Sequence, residues 1–215
     1  MSQGSFDFAS KLLPVDDDYI ISESNNNAYS LINKWPDWDS NILLLYGPKS
    51  CGKTHLSKIW ANNASASFIK AEDIYSNNFD LARNYILDDL EKVNDEPALL
   101  HFYNMVKEAN TGYLVMTASN NPVNIGIRLA DLRSRIGAVP SVGISDPDNI
   151  ILCQMLVKKF AQRQLKVDIE VIKYIVTRME RSFNAVDSIV DILDNKALQD
   201  KKNITIPFVK TVLDK

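Results

Sequence analysis

Eight consecutive residues, Gly47, Pro48, Lys49, Ser50, Cys51, Gly52, Lys53 and Thr54, satisfy the spacing G-x-x-x-x-G-K-[ST]. Each residue type has a chemical reason. Glycines let backbone N–H groups turn inward around phosphates, and the N-terminus of a following helix adds its positive dipole. Lys53 would reach the terminal phosphates and the Thr54 hydroxyl would sit on Mg²⁺. Such a spacing recurs by chance, so its neighbours decide its meaning. Here an apolar run, "NILLLY", precedes it, and "THLSKIWANN" follows with Leu56, Ile59 and Trp60 at helical spacing. A strand, a glycine loop and a helix in that order predict a nucleotide site. Such a loop also needs a carboxylate from a neighbouring strand to orient the metal. Asp88 and Asp89 close the apolar run "YILDDL" about 35 residues downstream. Asp88 is the expected metal partner beside Thr54, and Asp89 the expected general base that polarises an attacking water. The competing reading is a carboxylate pair that caps the next helix.

The elements that must hold these residues follow from periodicity. "NILLLY", "SASFIK", "NYILDDL", "GYLVMTAS" and "AVPSVGI" read as strands. Between them lie a helix after the loop, a weak helix over Asp73–Arg83, and "EPALLHFYNMVKEA", which places Leu99, Phe102, Tyr103 and Val106 on one face. A helix or turn through "LADLRSRI" precedes the last strand. Strands separated by helical segments demand crossover connections and a parallel five-stranded sheet buried on both faces. From Asp146-Pro147 onward every segment is helical by period, with Asp168 and Ser182 as expected N-caps and Pro207 in a first turn. The reading is an N-terminal tail over 1–15, an α/β nucleotide-binding core over 16–145 and a small all-helical lid over 146–215.

Composition narrows the function classes. With 46% hydrophobic and 24% charged residues in 215, the chain is long enough for a proper core. A net charge of −3 supplies no overall basic field toward nucleic acid. Lys158, Lys159 and Arg163 make a modest basic helical face that reads as solvated surface rather than a DNA site. Two cysteines, Cys51 and Cys153, suit a reducing compartment, and no apolar run approaches the length of a membrane span. The N-terminus lacks the pattern of a signal peptide, so a cytoplasmic location is expected. His101 has no second His or Cys nearby to suggest a metal site, and Trp35 and Trp38 around Pro36 read as loop anchors.

The order of these motifs, with "ILDDLE", "LVMTASNNP", "LADLRSRI" and a helical tail, resembles the AAA+ ATPases, and within them the DnaA initiator branch, where a His often follows the loop Thr as His55 does here. "YIISESNNNA" is similar to the segment that wraps the adenine in that branch, which implies contacts from Ile20, Ile21 and Asn25. "KWPDW", "RQLKVD", "RMERSF" and "TIPFVKTVL" resemble the short DnaA paralogues of the Hda/HdaA type. The resemblance implies bound ADP or ATP with Mg²⁺ between core and lid, and an arginine finger supplied in trans. Arg135 in "LRSRI" stands at that position; Arg133 lies close by and is the alternative, and a helix-end arginine is the plain structural reading.

Two positions depart from the family's pattern. Ser119 stands where the initiators carry an acidic or amide residue, and Asn184 stands where a lid arginine would sense phosphate, with Arg181 three residues earlier as a candidate substitute. An amide brings no positive charge, so weak hydrolysis by this chain alone is expected. Near the start, Gln3, Phe6 and Phe8 in "QGSFDF" resemble the peptide that inserts into the replicative sliding clamp. Two aromatics would fill an apolar pocket while the Gln hydrogen-bonds at its rim. The implied partners are the DnaA initiator, the sliding clamp and a second copy of the chain. Sequence-specific DNA binding is not expected, because no residues follow the lid segment for a helix-turn-helix domain. A loader-like subunit that hydrolyses its own ATP is the competing function.

Overall fold

The computed structural model describes residues 19–75 and 79–213. Strands β1 (Ile42–Tyr46), β2 (Ser67–Ile69), β3 (Tyr85–Leu87), β4 (Leu114–Ala118) and β5 (Ser141–Gly143) form one sheet in the order β2-β3-β4-β1-β5. Every pairing is parallel, with Leu45 opposite Thr117 and Tyr46 opposite both Ala118 and Gly143. The period of two sorts each strand between two cores. Ile42, Leu44, Tyr85, Leu87, Leu114 and Met116 point to one face, under α3 (Glu96–Ala109) and α4 (Ala130–Gly137). Leu43, Leu45, Ile86 and Val115 point to the other, under α1 (Asn26–Ile32) and α2 (Lys53–Ala64). The five-stranded parallel sheet expected from the sequence is therefore present, covered on both sides.

The helical faces also match the expected spacing. Leu56, Ile59 and Trp60 of α2 are buried, as are Leu99, Phe102, Tyr103 and Val106 of α3. Asp95 caps α3 by accepting from the Ala98 N–H at 2.8 Å. Trp38 stacks on Trp60 with ring centres 5.5 Å apart and donates through its indole N–H to the Leu31 carbonyl at 2.8 Å, while Tyr113 donates to the Pro36 carbonyl. Trp35 packs edge-on against Trp60 and Tyr113, so both tryptophans anchor their loop, as expected. One element differs. In place of a helix over Asp73–Arg83 there is a 3₁₀ turn at Ala71–Tyr75 and, further on, a local turn at Asp80. The Asp80 carboxylate accepts from the Ala82 N–H and pairs with Arg83, a local bond that competes with helix formation.

Behind the sheet, α5 (Asn149–Gln162), α6 (Ile169–Val176), α7 (Phe183–Asp200) and α8 (Ile206–Leu213) close around their own core, including Leu156, Phe160, Ile175, Val190 and Val209. Ser182 caps α7 by accepting from Ala185 N–H at 3.1 Å. Asp168 occupies the N-cap position of α6, but its side chain makes no capping bond. Pro207 falls in the first turn of α8. The basic face of α5 is matched by acids on α7: Lys159 pairs with Asp187 at 2.7 Å, and Arg163 pairs with Asp191 and Asp194. No helix among the described residues is long and apolar enough to cross a membrane.

Candidate nucleotide site

The loop between β1 and α2 lies at the C-terminal end of the sheet, where β1 meets β4 and the chain direction of crossover reverses. Open α/β sheets bind ligands at such a point. Gly47 is required by packing, since a Cβ there would stand 2.1 Å from the Ile144 carbonyl oxygen. Gly52 is required by conformation, with φ at 103° as the N-cap of α2. No side chain caps α2, so the N-terminal N–H groups of this twelve-residue helix stay available to an anion.

Lys53 is 6% exposed, and its ammonium donates to the Gly47 and Pro48 carbonyls at 2.7 and 2.8 Å. That folds the lysine along the loop, with its charge at the cleft floor. Thr54 donates to Asp88 at 3.0 Å, and Thr117, fully buried on β4, donates to the same carboxylate at 2.7 Å. The Thr117 hydroxyl oxygen in turn accepts from the Asp89 backbone N–H at 2.8 Å. Thr117 therefore sets the positions of both aspartates. A hydroxyl and a carboxylate on adjacent strand ends are hard oxygen donors of the kind Mg²⁺ takes, and Mg²⁺ needs only one or two carboxylates.

Around these groups lies a cleft of about 550 Å³, a size common for small-ligand sites. Lys49, Ser50, Gly52, Lys53, Thr54 and His55 line it from the loop side, Asp89, Glu91, Lys92 and Ser119 from the sheet, and Phe183 and Asn184 from the lid. Phe183 joins lid to loop: its N–H donates to the Ser50 carbonyl at 3.3 Å, and its ring stands 3.1 Å from where a Gly52 Cβ would be. Glu91 accepts from the Ser119 N–H at 2.5 Å, which puts a carboxylate at the end of β4. His55 packs edge-on against Tyr19, with ring centres 5.2 Å apart.

Other expected residues stand behind or away from this cleft. Cys51 is buried under the loop, and burial pushes its thiol up, partly offset by the Lys53 charge. Asn25 is buried and spends its side chain on the loop itself, accepting from Ser22 N–H and donating to the Ile20 carbonyl, both at 2.9 Å. It shapes the segment holding half-buried Ile20 and Ile21, and none of the three lines the cleft. Arg135 lies on α4, outside the cleft lining, with its guanidinium exposed beside Asp131 at 3.0 Å. The segment entering α4 is hooked by Glu96, whose carboxylate accepts from the Arg128 and Leu129 N–H groups at 2.9 and 2.5 Å. Those bonds hold the Glu96 carboxyl below its ordinary value. Arg181 is exposed and does not line the cleft. Gln3, Phe6 and Phe8 lie outside the described residues. No cluster of three metal-ligating side chains occurs among the described residues, His101 included.

Sequence reasoning missed Thr117, Glu91, Lys92 and Phe183. Three of these carried a signal. A threonine inside the apolar run "LVMTA" needs a partner for its hydroxyl, and Glu91-Lys92 sit between the buried Leu90 and Val93.

Comparison with known proteins bears on the fold. The family model "Hda, lid domain" matches residues 151–213. An uncharacterized protein of Haemophilus influenzae is 28% identical over 203 residues, covering 86% of this chain and 87% of that protein. The chromosomal replication initiator protein DnaA of Wolinella succinogenes is 25% identical over 224 residues, covering 92% of this chain but 51% of its own length. The chain thus spans about half the length of the curated DnaA relatives it matches. Among solved structures, domain III of Thermotoga maritima DnaA superimposes with a TM-score of 0.74 at 17% identity, covering 91% of this chain and 93% of that one. AMPPCP-bound DnaA from Aquifex aeolicus superimposes with a TM-score of 0.69 at 18% identity, covering 84% and 65%.

Proposed function

We propose that this chain, an Hda-type DnaA paralogue built on an AAA+ core, regulates replication initiation by stimulating ATP hydrolysis in DnaA. The observation that carries this reading is the position of Arg135. Its guanidinium is exposed on α4, outside the lining of its own cleft, and pairs with Asp131 on the same helix, which leaves its charge at the surface to complete a neighbour's site. An arginine delivered in trans to a terminal phosphate neutralises charge that develops during transfer and raises rates by orders of magnitude. The tail residues Gln3, Phe6 and Phe8 would hold the protein on the DNA-loaded sliding clamp in the cytoplasm, where it meets its target; a homodimer would keep Arg135 out of reach between encounters.

The cleft would hold an adenine nucleotide. Loop N–H groups and Lys53 would bind its phosphates, Thr54 and Asp88 its Mg²⁺, with His55, Ile20, Ile21 and Asn25 shaping the base side. Asn184 and Phe183 would meet it from the lid. In this reading 16–145 is the nucleotide-binding core, 146–215 the lid and 1–15 the tail. ADP bound between them would fix the lid in the arrangement that docks on DnaA. A second reading, a subunit that hydrolyses its own ATP, is favoured by the assembled Thr54–Asp88–Thr117 chain, with Asp89 beside it as general base.

The test measures ATP turnover by this chain alone, and by DnaA with clamp-loaded DNA, with and without the chain. The proposal expects slow turnover alone and strong stimulation of DnaA that Arg135→Ala abolishes. Vigorous turnover alone, with DnaA indifferent to Arg135→Ala, would establish the second reading instead. A clamp pull-down with Gln3→Ala and Phe6→Ala tests the tail, and unchanged capture would remove that part.

A further inference from the structure

Asp89 does not stand free at the cleft. Its backbone is left-handed, φ 60° and ψ 74°, a conformation that non-glycine residues hold only when their surroundings enforce it. Here the enforcement is visible. The Asp89 N–H is fixed on the buried Thr117 hydroxyl at 2.8 Å, and the next residue, Leu90, is 2% exposed. Val93 is buried as well, so the 3₁₀ turn Leu90–Lys92 is pinned at both ends and its middle residues, Glu91 and Lys92, face the cleft. Residues three apart in a 3₁₀ turn lie one above the other. Lys92 therefore comes back over Asp89: its N–H donates to the Asp89 carbonyl at 2.9 Å, and its ammonium pairs with Asp89 Oδ2 at 2.6 Å.

The pair is too exposed, at 70% and 36% of the two side chains, to matter much for stability. Its consequence is for the carboxylate. We propose that Lys92 is a positioning residue that engages the Asp89 carboxylate and restrains nucleotide hydrolysis by this chain, leaving Thr54 and Asp88 free for the metal. This rests on the reading above in which the nucleotide is retained, and it takes Asp89 as the base that the competing, hydrolysing reading would use. In the restrained step Asp89 would take a proton from the water whose oxygen joins the terminal phosphorus as the bond to the diphosphate oxygen breaks. An ammonium seated on Oδ2 occupies that oxygen and fixes the plane of the carboxylate, so it competes with the water for the base. The Lys92 ammonium is correspondingly held above its ordinary value by the bond to Asp89.

The experiment uses the full chain with Mg²⁺-ATP and a fluorescent ADP analogue. Lys92→Met should raise kcat about three- to ten-fold, since general-base assistance is worth at least that much. KM and ADP affinity should stay within about two-fold, because uniform binding is untouched. Lys92→Arg should restore the slow rate, and Asp89→Asn added to Lys92→Met should cancel the gain. A readout free of turnover is the acylation rate of the Lys92 amine in the nucleotide-free protein, followed by mass spectrometry. Asp89→Asn should speed it about two- to five-fold by freeing the amine of its partner. An unchanged amine rate, a Lys92→Met rate at or below the parent, or a loss of ADP affinity beyond about ten-fold (the mark of a phosphate ligand) would each overturn the inference. Vigorous turnover by the unaltered chain would sink the retained-nucleotide reading along with it. Slow turnover that Lys92→Met leaves unchanged would sink this inference alone.

Discussion

The two walls of the cleft are held by opposite means. The loop and sheet side is fixed by directional bonds: Lys53 on two loop carbonyls, Thr117 between both aspartates, Glu91 on the Ser119 N–H. The lid wall belongs to a separate apolar core and touches the loop through Phe183. Directional bonds hold atoms to a fraction of an ångström, as phosphate and metal chemistry requires. Phe183 meets the loop through its ring and a 3.3 Å hydrogen bond to the Ser50 carbonyl, contacts softer than the short bonds of the opposite side. A protein that reports its nucleotide through lid position would be built in this way.

The comparison breaks most severely at Gly47. A methyl group there meets the Ile144 backbone oxygen at 2.1 Å, and backbone cannot rotate out of the way. Gly47→Ala should cost about 3 kcal/mol through overpacking. A thermal melt would show it as a fall of about 6–12 °C. Thr117→Val comes next. It keeps the shape of a fully buried side chain but strands the Asp89 N–H and removes a donor from Asp88. About 2 kcal/mol should be lost, as for other buried groups left unpaired. If melting were unmoved by Thr117→Val, the claim that the sheet wall is held by this hydroxyl would be wrong.

How legible this was depended on the range of the interaction. The strands were written in runs such as Ile42–Tyr46, whose residues are buried on both faces, and α3 in the spacing of Leu99, Phe102 and Val106. The loop, Lys53, Thr54 and Asp88 were readable because their chemistry demands a fixed order along the chain. The turn Leu90–Lys92 was not, since three residues carry no period, and the left-handed Asp89 is enforced by Thr117 from 28 positions away. Asp80 defeated an expected helix with a bond to a residue two along, a short-range effect that a periodicity count ignores. Phe183 looked like a helix's first residue; only packing brings its ring over Gly52.

Glu96 sharpens the comparison, because it extends the directional style of the sheet wall to the helix bearing Arg135. Its carboxyl is lower in the folded protein than in the unfolded chain. The bonds to Arg128 and Leu129 therefore contribute stability that is present above the ordinary Glu value of about 4.3. That contribution is lost as pH falls through the folded value. Protection of the amides before α4, corrected for intrinsic exchange, should fall in the parent as pH drops through the lowered Glu96 value. In Glu96→Gln it should be low already at about pH 6. Phe183→Ala should act on the other wall, costing about 1 kcal/mol of half-buried ring. It should loosen exchange at the start of α7 while leaving the Thr54–Asp88 bond intact.

The smallest effect belongs to the basic face of α5, read from the sequence as solvated surface. Lys159 and Arg163 on α5 look basic in the sequence, yet each meets acids of α7: Asp187, Asp191 and Asp194. Their side chains are about 30% exposed and those of the acids 38–58%, so water and salt screen the pairs. A double-mutant cycle of Lys159→Ala with Asp187→Ala should give a coupling below about 1 kcal/mol. It should shrink further in 1 M salt, where the screening length falls to about 3 Å. The same matching makes a second demand. A charge already answered by a carboxylate 2.7 Å away releases few counterions on meeting a phosphate backbone. Removing Lys159 should therefore leave any DNA association of the chain and its salt dependence where they were. A clear loss of DNA binding on that substitution would show that the lid does more than hold its own helices together.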